Sequence, residues 1–136
     1  MPNDWHRVHV PTLARGGAGL VIVEATAVSP EGRITPGCTG LWNDAQAEAL
    51  AVVAREIEAA GAVASANRPW EGDDHIAGDD PRGWETIAPS AIAYGGGLPK
   101  APRAMTKADI DRVRSDFVAA AERARDAGFK WLVLHF

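Results

Sequence analysis

The feature that most constrains this chain is a rhythm met three times: a helix-forming stretch, a stop of small residues containing glycine, then an apolar run. The first helix is expected from Asp4 through Val8 and Leu13 to Arg15. Gly16 and Gly17 stop it, because glycine readily takes the left-handed conformation at a helix end. Ala18-Gly19-Leu20-Val21-Ile22-Val23-Glu24-Ala25 follows, a β-branched run of the kind buried on both faces of a parallel sheet. Asn43 opens the second helix as N-cap, with Gln46 as its capping-box partner. Its apolar stripe is Ala47, Leu50, Val53 with Ala54, and Ile57, and Gly61 ends it. Thr106 and Asp109 repeat the capping pattern for a third helix. The stripe there is Ile110, Val113, Phe117, Ala120 or Ala121, and Ala124, and Gly128 is the stop. Phe129 to Phe136 then reads as another buried strand.

Helices alternating with such strands indicate α/β architecture. One join breaks the rhythm. After Gly61 the chain offers Ala62-Val63-Ala64 and turns polar at Ser65-Ala66-Asn67-Arg68-Pro69, so a strand is begun and not delivered. The stretch from about 65 to 105 is predicted to be a long loop of roughly 40 residues, unusual in a compact domain, either an active-site cover or disordered. Ile87 to Tyr94 adds a short hairpin strand in this reading. The chain stops inside its last strand, with His135 at the edge and Phe136 after it, so truncation is expected.

At 136 residues, 46% hydrophobic and 24% charged, the chain has the make-up of one globular domain over 1–136. A net charge of −4 with interspersed signs predicts no nucleic-acid or membrane partner. Leu20 to Val23 is far short of a membrane span, and Met1 to Trp5 has no signal-peptide character. Cys38 is the single cysteine, so no intrachain disulfide can form, and a reducing cytoplasm is the expected location.

Several motifs resemble one family. Leu20 to Val28 followed by Pro30-Glu31-Gly32-Arg33-Ile34-Thr35 resembles the second strand and loop of Old Yellow Enzyme-like flavin oxidoreductases. Gly40-Leu41-Trp42-Asn43-Asp44 is similar to the motif that opens the family's next helix. Ile87 to Ala93 and Pro102-Arg103-Ala104-Met105-Thr106 resemble its later loop and helix entry, and Ala124 to Phe129 with Leu134-His135 the approach to its catalytic histidine. Ser65 to Gly72 is most similar to the xenobiotic reductase and thermophilic-like branch.

The resemblance implies a partial (β/α)8 TIM barrel, from the first helix to the fourth strand, where a whole barrel is typically ~250 residues. It also implies that the third strand, with a flavin-binding glutamine and an Ala-His-Ala-Gly-Arg-type run, is missing between Ala64 and Ser65. The implied cofactor is FMN, with NADPH or NADH as hydride donor. The implied partner is a small electron-poor alkene, such as an α,β-unsaturated carbonyl, or a nitro compound. His135 matches the first of a histidine pair that donates hydrogen bonds to the substrate oxygen, a catalytic and substrate-binding position. The second histidine (or asparagine) and a proton-donating tyrosine would follow His135 in relatives. Ala25 matches the small residue whose backbone packs against the flavin, with barrel packing as its plain alternative. Glu24 is expected to be structural and Thr26 is left unassigned.

Other candidates are weaker. His6 and His9 have a helical spacing that can bind metal, but a solvated or packed face is the simpler reading, and no metal site is predicted. Asp73, Asp74, His75, Asp79 and Asp80 read as a solvated loop. Cys38 has no basic activator nearby in sequence and is expected to be inert. Gly16 to Gly19 precedes a strand, whereas a dinucleotide-binding glycine loop follows one. Trp70 and Trp84 line a substrate mouth or stabilise their own loop. The enzyme reading is an NAD(P)H:FMN ene-reductase. The rival is a non-catalytic remnant or α/β oligomerising fragment without flavin; uncovered strand edges and helix faces favour it for the isolated chain, which is expected to be inactive or impaired and to form a homo-oligomer.

Overall fold

The computed structural model describes residues 1–66, 83–93 and 100–134 of the chain. Helix α1 (Asp4–Arg15) starts at Asn3, whose side chain accepts the Trp5 N–H, while the Asn3 N–H donates to the His6 ring at 3.1 Å. Helix α2 (Asp44–Ala59) starts at Asn43. Its side chain accepts the Gln46 N–H at 3.0 Å, and Gln46 accepts in return from the Asn43 and Trp42 N–H groups. Helix α3 (Lys107–Asp126) starts at Thr106, with the same reciprocal pair to Asp109. These caps satisfy helix N–H groups that have no partner within the helix. Gly17, Gly61 and Gly128, one beyond each helix, take positive φ and turn the chain toward the following strand.

The strands in chain order are β1 (Leu20–Val23), β2 (Val63–Ala66), β3 (Ile87–Ala88), β4 (Arg103–Ala104) and β5 (Trp131–Leu132). A parallel sheet has the order β1-β2-β5, with Leu20 opposite Val63, Val23 opposite Ala66, and Ala66 opposite Leu132. Strands β3 and β4 form a separate parallel ladder.

Four expectations are corrected. A strand stands where the sequence reading expected none: Val63–Ala66 lies in the middle of the sheet, and Ser65 pairs both with Ile22 and with Trp131, although the glutamine and the Ala-His-Ala-Gly-Arg-type run are absent from the sequence there. A strand's backbone needs only a partner edge, which β1 supplies, so a short apolar run suffices. The long segment between β2 and α3 contains β3 and β4, and Ile87–Ala88 pairs in parallel with Arg103–Ala104 rather than forming a hairpin strand. Strand β1 is not covered on both faces. Val21 and Val23 are buried while Leu20 and Ile22 are each 47% exposed, the alternation of a sheet with one packed face. The last strand is two residues long and its residues are exposed, with Trp131 at 64%, because β5 is an edge of this sheet. The sequence readings at Trp70, at the Asp73–Asp80 loop and at His135 and Phe136 lie outside the described residues.

The core sits between the helices and the covered face of the sheet. It joins Val10 and Ala14 of α1, Val21 and Val23 of β1, Leu50, Val53, Ala54 and Ile57 of α2, and Ala120 and Ala124 of α3, with Phe129 behind them. Ile57 is 0% exposed. Only Ala120 and Ala124 of the α3 stripe are fully buried, and Ile110 is exposed. Replacing Ile57 with alanine is expected to cost about 2–5 kcal/mol, from lost transfer energy plus the cavity left behind. Urea unfolding followed by circular dichroism measures it, and a midpoint equal to wild type would place the core elsewhere.

Candidate functional site

Parallel strands carry their functional groups at their C-terminal ends, where the chain leaves the sheet for loops. At that edge Ala25, Thr26 and Ala27 follow β1 directly, while Leu132, Val133 and Leu134 end the described part of the chain at β5. Both segments line a cavity of about 490 Å³, closed on a third side by Val113, Phe117 and Ala121 of α3. Val28, Ile34, Leu41, Ile87 and Met105 make its walls apolar. The polar groups in the wall include Thr26, Arg33, Cys38 and Thr86. This is the size and character of a small-molecule site.

The loop after β1 returns to itself before α2. Ala27 donates to the Thr39 carbonyl and accepts from Leu41, both at 2.9 Å. Glu24, at the end of β1, gathers neighbours from two directions: Thr39 Oγ1 donates to its Oε1 at 2.7 Å, and His6 Nε2 lies 2.6 Å from the same oxygen. Burial pushes the Glu24 carboxyl up, but the Thr39 and His6 hydrogen bonds and the His6 charge outweigh it and hold the carboxyl below its ordinary range. Glu24 is therefore a structural tie between α1, β1 and the loop, as its strand-end position suggested. His6 is engaged there and in the α1 cap, and His9 stacks on Trp5 with centroids 4.4 Å apart. Among the described residues no group of three metal-ligating side chains comes together.

The tip of the loop is held by Arg33. Its guanidinium carbon lies 4.8 Å from the Trp84 ring centroid and 5.5 Å from that of Trp42, and its Nε donates to the Pro30 carbonyl at 2.6 Å. Trp84 also donates its indole N–H to the Glu31 carbonyl at 2.9 Å, and the Glu31 carboxylate pairs with Arg112 on α3. Trp84 thus braces the loop after β1, rather than its own segment as the sequence reading suggested. Gly40 is required beside Trp42, because any Cβ there would overlap the indole ring. No pattern in the sequence marks this cluster, whose members extend from Pro30 to Arg112.

Cys38 departs from the sequence reading. Burial raises its thiol, but hydrogen bonds from the Thr35 side chain, from the Thr35 N–H at 3.2 Å and from the Ile34 backbone, together with the Arg33 charge, leave it lowered. A basic neighbour is present after all. Elsewhere Arg103 bridges Glu85 and Asp109, and those hydrogen bonds, led by the one to Asp109, raise its pKa and lower that of Asp109. The side chains of that network are not among those lining the cavity.

Of the residues singled out from the sequence, the structure places Ala25 and Thr26 on the cavity wall, and His135 lies outside the described residues. No helix among the described residues is long and apolar enough to cross a membrane.

The sequence model of the NADH:flavin oxidoreductase / NADH oxidase family matches residues 1–135. The chain is 40% identical over 146 residues to an NADH:flavin oxidoreductase of Gibberella zeae, an alignment covering 98% of this chain and 35% of that protein. It is 39% identical over 138 residues to an NADPH dehydrogenase of a Geobacillus species, covering 98% and 37%. The chain therefore spans little more than a third of the length of these relatives. Its fold matches morphinone reductase in complex with tetrahydroNAD, with a TM-score of 0.80 and 27% identity over 97% of this chain and 40% of that one. It also matches the Old Yellow Enzyme homologue of Zymomonas mobilis, with a TM-score of 0.76 and 30% identity over 97% and 38%.

The lowered Glu24 carboxyl has a consequence with a definite sign. A carboxyl whose folded pKa lies below its unfolded value adds stability above that unfolded value, and the contribution is lost as pH falls through the folded one. Glu24→Gln is therefore expected to lower the melting temperature at pH 7, with the gap to wild type closing below about pH 4.5, the ordinary carboxyl value. Melting curves at pH 7 and pH 3 decide this; a gap that stays constant would deny Glu24 its charged role.

Proposed function

This chain belongs to the NADH:flavin oxidoreductase / NADH oxidase family, that of the Old Yellow Enzyme-like flavin oxidoreductases, and from that premise we propose that it is part of an NAD(P)H:FMN oxidoreductase of the ene-reductase type. The observation that carries the proposal is the position of Ala25 and Thr26. They directly follow β1 at the C-terminal edge of the parallel sheet and line the 490 Å³ cavity. The site fits a flat aromatic ring system: Ala25, Thr26 and Ala27 are small enough for backbone and ring to approach closely, and the surrounding walls are apolar.

FMN, when bound, supplies the hydride chemistry, accepting from NADPH or NADH and passing to the β-carbon of an α,β-unsaturated carbonyl or similar electron-poor compound. The chain's own share is binding and polarisation. Ala25 offers its backbone to the flavin face. The Glu24–Thr39–His6 tie fixes where that backbone sits. His135 donates a hydrogen bond to the substrate's carbonyl or nitro oxygen and stabilises the negative charge that develops on it. The apolar walls keep water away from the reacting atoms.

The test is an FMN titration of the purified chain, read by flavin fluorescence and by the visible spectrum. Saturable binding with a perturbed spectrum is expected, followed by reduction on adding NADPH. In protein that binds FMN, His135→Ala is expected to lower turnover of an α,β-unsaturated ketone by about 10²-fold or more, with flavin affinity retained. Absence of saturable FMN binding would overturn the proposal and leave a non-catalytic remnant of the family.

A further inference from the structure

The polar groups of the cavity wall contain an arrangement to which the proposed flavin site assigns no part. Arg33 is the only cationic side chain lining the cavity among the described residues, and Glu31 the only carboxylate. The two are not partners. Glu31 is neutralised from the other side by Arg112, which also pairs with Asp116. Arg33, half-buried, has no carboxylate partner among the described residues; its hydrogen bonds go to the Pro30 carbonyl at 2.6 Å and the Pro36 carbonyl at 3.5 Å. A guanidinium has further N–H groups in a planar fork that matches a carboxylate. The rings of Trp42 and Trp84 hold this fork in place, so recruiting it costs little side-chain freedom.

We propose that Arg33 is the anion-holding residue of this cavity, which takes a small molecule with an apolar body and one carboxylate. The carboxylate pairs with the Arg33 guanidinium, and the body lies against Phe117, Val113, Ile87 and Leu132. A single negative charge is required because Arg33 is the only cation in the described wall, which is otherwise mainly apolar with Glu31 already paired to Arg112. A second charge on the ligand would be desolvated without a partner, and a cationic head would meet Arg33 with like charge. Tryptophan rings on the guanidinium fix its position as well as its charge, so lysine is an incomplete substitute.

The proposal shares Ala25 and Thr26 with the proposed flavin site but does not need flavin. It is tested on the full chain without FMN, so that either reading can fail alone. Calorimetric titration with decanoate, decan-1-ol and decylamine is expected to give saturable binding of decanoate, weaker binding of the alcohol and none of the amine. Arg33→Met is expected to weaken decanoate by about tenfold or more and leave decanol unchanged, because a charge-assisted hydrogen bond is lost. Arg33→Lys is expected to recover part of that loss. Phe117→Asp is expected to weaken both acid and alcohol, since it attacks the body of the site. If Arg33→Met does not fold, as judged by circular dichroism, the preference of the wild-type chain for acid over alcohol and its reduction in high salt decide the matter. Equal affinity for decanoate and decanol, no saturable decanoate binding, or full decanoate affinity in a folded Arg33→Met variant would each overturn the proposal.

Discussion

The pairing of Val63–Ala66 with Leu20–Val23 on one side and with Trp131–Leu132 on the other is the constraint on which the rest of the structure depends. Parallel neighbours cannot be joined by a tight turn, so each must be reached by a crossover, and α2 and α3 are components of those crossovers. The helices then share one face of the sheet, where Ile57, Val53 and Leu50 of α2 meet Val21 and Val23. The middle strand also sets the spacing between the ends of β1 and β5. Those two ends form opposite sides of the cavity, so its width follows from the backbone ladder.

Side chains from distant segments hold the loop that covers this edge. Glu24 ties it to α1 through His6 and to its own return through Thr39. Glu31 and Arg112 tie it to α3, and Arg33 ties it to Trp42 and Trp84. Each contact is modest, since ion pairs with exposed partners are screened by water and cation–π pairs contribute on the order of 1 kcal/mol. Together they anchor one loop at several points, which is what a site built on a loop needs in order to hold its geometry. The lowered thiol of Cys38 is a by-product of the same anchoring, because Arg33 and Thr35 are brought to it by the turn that the clamp stabilises.

The helices were legible in the sequence almost to the residue. Asn3, Asn43 and Thr106 cap them, and glycines stop them, through contacts made within a few residues. Strands were less legible. Val63–Ala66 reads as an unfinished strand because Ala62-Val63-Ala64 runs into Ser65, yet its pairing is carried by backbone groups that accept any side chain. Ile87–Ala88 invited a hairpin, and its true partner lies beyond a long segment at Arg103–Ala104. The family motif points to Ala25, which lies on the cavity wall. Arg33 was present in that motif as a letter, with nothing to show that two tryptophans would reach it.

The sequence by itself determined the α/β rhythm, the helix limits and membership of a flavin oxidoreductase family, because caps, glycine stops and motif strings are written in neighbouring residues. The tertiary structure decided which face of β1 is covered, that a polar-looking segment becomes the central strand, and which charged groups meet. Those outcomes depend on pairs such as His6 with Glu24, Glu31 with Arg112 and Arg33 with Trp84. Such pairs are separated widely along the chain, and only the packing of the helices against a three-stranded sheet brings them within reach.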